Sequence, residues 1–225
     1  MTDLLKKIFL HPFFMPLFFL IAWGGFASFV YLTYGESVLT FTKEGRVIED
    51  TSHLGYIILL AVLLWYCEDF QDKVKSWGMY LFLTMCAFLR EEGIHHYLSK
   101  TDTTPFKSRF FLNPNNPIGE KIIFGLFLII VVSAIGYLAV KYAKPLVVKF
   151  FKLDVISWSV ATLCTVGVAS KIIDRFPANY RKAHNGVALS DDVFALMQLI
   201  EESSEMFLPY LAILIVLQYH FKTKN

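Results

Sequence analysis

Apolar residues in this chain come in long blocks. They do not alternate as in a strand, nor form the single stripe of a soluble helix. A membrane-crossing helix needs about 20 mostly apolar residues, because the hydrocarbon core is roughly 30 Å thick. Six blocks approach that length and predict spans at 13–34, 53–70, 77–98, 122–140, 153–170 and 193–219. His11-Pro12 and Pro16 predict a short interfacial piece before the first span. The first block is too long for a signal-peptide core and lacks a clear small-residue exit. The expected fold is an all-α integral membrane bundle of about six transmembrane helices, one membrane domain over 1–225 with no soluble domain.

The polar stretches between the blocks read as loops. Residues 35–52 are polar and mixed in charge. Residues 99–121 contain Asn113-Pro114-Asn115-Asn116-Pro117, a turn-forming run. Residues 171–192 hold Pro177, Asn185-Gly186 and then Ser190-Asp191-Asp192, an N-cap followed by first-turn acids.

Three purely apolar runs, 54–67, 77–89 and 206–219, are only about 14 residues long. That is roughly 20 Å at 1.5 Å per residue. To span, the third and sixth helices must draw their own charges into the hydrocarbon. The third ends in Arg90-Glu91-Glu92 with His95 and His96 one turn on; the sixth carries Glu201, Glu202 and Glu205. Six crossings put both clusters in the same leaflet. At 100° per residue, Glu91, Glu92, His95 and His96 cover an arc of about 140°. Gln198, Glu201, Glu202 and Glu205 fall within about 100°, one polar stripe on an apolar helix.

Five carboxylates against Arg90 as internal counter-ion leave a large negative excess. A charge at the bilayer centre costs about 2.5–3.5 kcal/mol on insertion scales. The excess therefore calls for protonated carboxyls, a bound cation or a water-filled cavity. Glu91, Glu92, Glu201, Glu202 and Glu205 are the expected proton- or cation-binding groups, in a channel, transporter or sensor. The second reading is a membrane-embedded enzyme acting on a lipid or lipid-soluble substrate. Its metal, Zn or Fe, would be held by Glu92, His95, His96, Glu202 and Glu205, since Glu92-x-x-His95 has the spacing used in di-iron bundles. The third reading is a structural, signalling or defence protein, with an ion-pair network of Arg90 with Glu201 or Glu205. An inverted-repeat transporter is not supported, because the acids sit late in helix 3 and early in helix 6.

Composition excludes other classes. Of 225 residues 56% are hydrophobic and 18% charged, against about 25% charged in soluble domains. Net charge is +2, so there is no basic stripe for nucleic acid. Cys67, Cys86 and Cys164 lie in apolar runs as small core residues, not a disulfide framework. No H-E-x-x-H, G-x-S-x-G or C-x-x-C occurs. The expected partners are the lipid bilayer and a second copy of the chain. Basic residues divide evenly between the two faces, but those beside both termini sit in shorter segments near helix ends. That places both termini in the cytoplasm of a bacterial-type inner membrane.

Overall fold

Backbone polar groups in hydrocarbon must be satisfied within their own segment, which leaves the helix as the element for such blocks. The computed structural model describes residues 3–38, 47–67, 76–92 and 108–224, and helices are the regular elements there. They are α1 (Asp3–Phe9), α2 (Phe14–Tyr34), a 3₁₀ turn (Gly35–Ser37), α3 (Val47–Trp65), α4 (Gly78–Glu91), α5 (Ser108–Leu112), α6 (Ile118–Phe150), α7 (Val155–Ala183) and α8 (Asp191–Thr223).

Four of these are long and apolar enough to cross a membrane: α2, α3, α6 and α7. Their apolar side chains are largely uncovered. On α6, Ile123, Ile129, Val132 and Val140 are all more than 60% exposed. A soluble protein rarely leaves so large an apolar face open to water.

Several boundaries differ from those expected. The stretch 35–52 is not all loop, because α3 begins at Val47, with Glu49 and Asp50 in its first turn. Acids there interact favourably with the helix dipole. Helix α6 runs from Ile118 to Phe150 through Pro145, beyond the expected 122–140. A short helix, α5, falls within the expected loop 99–121 and buries Phe110 completely. The stretch 171–183 is helix, not loop: α7 passes Pro177 and stops only at Ala183. It ends where Asn185 and Gly186 take positive φ, 52° and 92°. The Gly186 amide then donates to the Arg181 carbonyl at 2.9 Å, closing the last turn. The expected span 77–98 is described only as far as Glu92, and residues 68–70 of the expected second span also lie outside the described residues.

The described residues fall into two compact units, those within 1–62 and 148–225, and those within 63–147. In the first unit, α2, α7 and α8 pack together. Met15, Phe19, Val166 and Leu211 make one core, flanked by Trp23 and Phe207. Val30, Val38, Ile48, Ala195, Leu199 and Met206 make another. Helix α3 meets α8 so closely that a Cβ on Gly55 would lie 2.8 Å from Pro209 Cγ. Tyr210 of α8 donates its hydroxyl to the Thr51 carbonyl at 2.7 Å beside this contact.

The turn into α7 is fixed by its own side chains. Leu153 takes a left-handed φ of 56°. The Asp154 carboxylate then caps α7, accepting the Ser157 amide at 3.1 Å. Trp158 stacks on Phe150 at 4.5 Å and donates its indole N–H to the Phe150 carbonyl at 3.0 Å. Lys222, near the end of α8, pairs with Asp154.

In the second unit, Phe110 packs edge-on against Phe124 at 5.6 Å. Asn116 donates to the Phe110 carbonyl at 2.7 Å, while the Asn115 amide donates to the Asn113 side chain at 3.0 Å. The Asn-Pro run is thus the turn its composition implied. Ser76 lies 2.6 Å from the Tyr142 hydroxyl and accepts from Lys141 at 2.8 Å. Lys141 also sits over the Tyr137 and Tyr142 rings. The three cysteines are free.

Candidate functional site

Between its charged ends, helix α8 carries one concentrated polar stretch in its N-terminal half, Gln198 to Glu205. The sequence there puts two serines between three glutamates. The serines turn inward: Ser203 and Ser204 are buried, and their hydroxyls donate to the Leu199 and Ile200 carbonyls at 2.5 Å. Back-bonding of this kind satisfies a hydroxyl within the helix itself. Ser203 also accepts the indole N–H of Trp23 from α2 at 3.0 Å.

Glu201, Glu202 and Glu205 are half-buried on this stretch. Glu205 is held from α7: Ser170, wholly buried, donates its hydroxyl to Glu205 Oε1 at 2.7 Å. Lys171 makes an ion pair with the same oxygen. Glu201 feels the like charges of Glu202, Asp174 and Glu205, opposed by Lys171. About one turn before Glu201, the buried Gln198 Oε1 has no hydrogen-bond partner among the described residues. An acceptor so placed is open to a water or a proton-bearing group.

A second polar clasp lies toward the other end of α8. Gln218, completely buried, accepts from Ser159 of α7 at 2.5 Å and donates to the Phe9 carbonyl of α1 at 2.9 Å. It ties three helices at one point.

Of the expected site residues, Glu201, Glu202 and Glu205 share one seam in the first unit. Arg90, Glu91 and Glu92 end α4 in the second unit. His95 and His96 lie outside the described residues. Among the described residues, no three His, Cys, Asp or Glu side chains converge as a metal ligand set. The cation found beside Glu205 is Lys171, which the sequence reading put in a loop. Ser170, Trp23 and Ser203 were also missed. In a sequence they look like ordinary small or aromatic residues of an apolar helix. Gln218 had a signal that was passed over, an amide inside an otherwise apolar run.

At the level of the whole chain, no protein-family model, curated protein or solved structure gives a significant match. The functional reading therefore rests on the seam.

Proposed function

We propose that this chain is an integral membrane protein that takes up and releases protons through the carboxylates of α8. In this reading α4 and α8 join the four long apolar helices to make six spans with no soluble domain. The membrane is a bacterial-type inner membrane with both termini cytoplasmic. The observation that carries the proposal is the double grip on Glu205, by the Ser170 hydroxyl and the Lys171 ammonium, on an otherwise apolar bundle.

Ionisable groups inside the hydrocarbon are expensive, and those that persist there commonly serve an ion or proton path. A proton arriving at Glu205 cancels the charge that holds Lys171, while the Ser170 hydrogen bond can survive. Glu201 and Glu202 lie three to four residues back on the same face, near enough for exchange through one water. Protons are favoured over a metal cation because Glu205 already has a hydroxyl and an ammonium as its partners, and among the described residues no three acidic, His or Cys side chains make a ligand set. The ion pair between α7 and α8 also supports a second reading, a purely structural lock, in which Glu205 holds two helices together and moves nothing.

The test is proton flux in liposomes loaded with a pH-sensitive dye, under an imposed pH step. We expect flux from the wild type and its loss in Glu205→Gln, with folding intact by circular dichroism. Wild-type vesicles as tight as empty ones, or full flux in Glu205→Gln, would overturn the proposal. Tight wild-type vesicles together with loss of stability in Lys171→Met would favour the lock.

A further inference from the structure

On the face of α7 beside this seam lies a groove of about 400 Å³, lined by Gly167, Val168, Lys171, Ile172, Arg175 and Asn179. We infer that this groove binds an anionic phospholipid. The lipid phosphate would lie on Arg175 and Asn179, and an acyl chain along Val168 and Ile172.

The argument starts from spacing. Gly167, Lys171, Arg175 and Asn179 recur every four residues, so they climb one face of the helix. Lys182 falls on the same face, at 100° per residue, within about 40° of Lys171 and Arg175. Gly167 opens the lower end, because it has no side chain there and Leu208 of α8 approaches only to 3.8 Å of where a Cβ would be. The chemistry changes along the climb. Val168 and Ile172 are more than 60% exposed and apolar. Arg175, Asn179 and Lys182 are exposed and polar.

Bilayer dimensions put this change at the right height. Helix α7 has 29 residues, about 44 Å at 1.5 Å per residue. If the hydrocarbon begins at Val155, a core of about 30 Å ends about 20 residues later, close to Arg175. Val168 and Ile172 then face acyl chains, and Arg175, Asn179 and Lys182 face headgroups. Arg175 supplies a planar fork suited to phosphate oxygens and Asn179 an amide donor. Lys171 is already paired with Glu205, which leaves Arg175 and Lys182 as the cations of this face outside that ion pair. Asp174 is the one acid of α7, about 100° round the helix from Arg175, and Glu201 of α8 lies within electrostatic reach of Asp174 and Lys171.

This inference rests on the membrane reading but not on proton movement. The experiment uses full-length protein reconstituted in vesicles of equal parts phosphatidylglycerol and phosphatidylcholine. The vesicles are floated on a gradient, then extracted in mild detergent, and the retained lipid is counted by native mass spectrometry. Retention of phosphatidylglycerol about fivefold over phosphatidylcholine is expected for the wild type, the factor typical of one cationic side chain at an anionic surface. Arg175→Gln should bring the ratio near one. Arg181→Gln, on another face of α7, should leave it unchanged. Equal retention of both lipids by the wild type would overturn the inference, as would an equal loss in Arg181→Gln. So would displacement of the bound lipid by millimolar inorganic phosphate, which would make the groove a site for the free anion. Failure of the protein to float would instead sink the membrane reading itself.

Discussion

The Trp23 indole N–H reaches across the bundle to Ser203 Oγ, 3.0 Å away and 180 positions later in the chain. The same hydroxyl donates to the Leu199 carbonyl, so Ser203 is both acceptor and donor. Trp23→Phe keeps most of the ring and removes the N–H, and should cost about 1 kcal/mol. Ser203→Ala strands the indole N–H and should cost about 1–3 kcal/mol. In the double variant the two losses should not add, because each single change already breaks the bond. Denaturant unfolding in detergent, followed by Trp fluorescence or circular dichroism, measures all three.

Gly55 is where α3 and α8 touch, and the contact leaves no room for a methyl group. A Cβ would lie 2.8 Å from Pro209 Cγ and 2.9 Å from Tyr210 Cε2. Gly55→Ala should therefore destabilise by about 1–3 kcal/mol, through overpacking. Gly24→Ala is the control, since nothing lies within 4 Å of that position. Thermal unfolding of the two variants side by side should lower the midpoint for the first and leave it unchanged or raised for the second.

Glu205 separates function from fold. Glu205→Gln keeps an acceptor for Ser170 and removes a half-buried charge, so its stability should stay within about 1 kcal/mol of wild type. Glu205→Ala leaves the buried Ser170 hydroxyl without its carboxylate and opens a void. It should cost about 1–3 kcal/mol more. A melting series in detergent in which Glu205→Gln fell as far as Glu205→Ala would show that the charge itself holds the helices together.

Asp154 predicts an acid limit to stability. Burial works against its ionisation, but the Lys222 ammonium and the two Ser157 donors outweigh it, and the carboxyl sits below its ordinary range. A group with a lowered folded pKa contributes stability above its unfolded pKa, about 3.9, and loses it as pH falls through the folded value. The wild type should thus lose stability below about pH 4. Asp154→Asn keeps a capping oxygen but not the charge, and should flatten part of that acid limb. Asp154→Ala loses the cap as well, costing about 1 kcal/mol further at neutral pH. Unfolding midpoints between pH 3 and 7 check both.

How far the fold was legible depends on what each residue reports. Apolar blocks located α2, α6 and the first half of α7, because hydropathy reports where lipid would be. It does not report where a helix ends. Lys171, Asp174 and Arg175 are as compatible with helix as with loop, so α7 continues through them until Asn185 and Gly186 take left-handed conformations. The Asn-Gly stop was visible. The turn at Leu153 that follows α6 was not, since a leucine gives no sign of positive φ. The glutamates of α8 were visible as a stripe. Their partners were not, because Ser170 and Lys171 come to Glu205 from another helix, and no spacing rule links the two. The close pass at Gly55 was hidden for the same reason.

The first unit is split by the second: residues 63–147 are inserted between its two halves. This has a consequence in time. At a synthesis rate of 5–20 residues per second, Ser203 follows Trp23 out of the ribosome after roughly 10–40 s. Gln218, which clasps Phe9, comes later still. Until then α2 has neither its aromatic partner Phe207 nor the serine that accepts its indole N–H. The assembly of this unit therefore waits on the arrival of α8 and is not set by the insertion of α2.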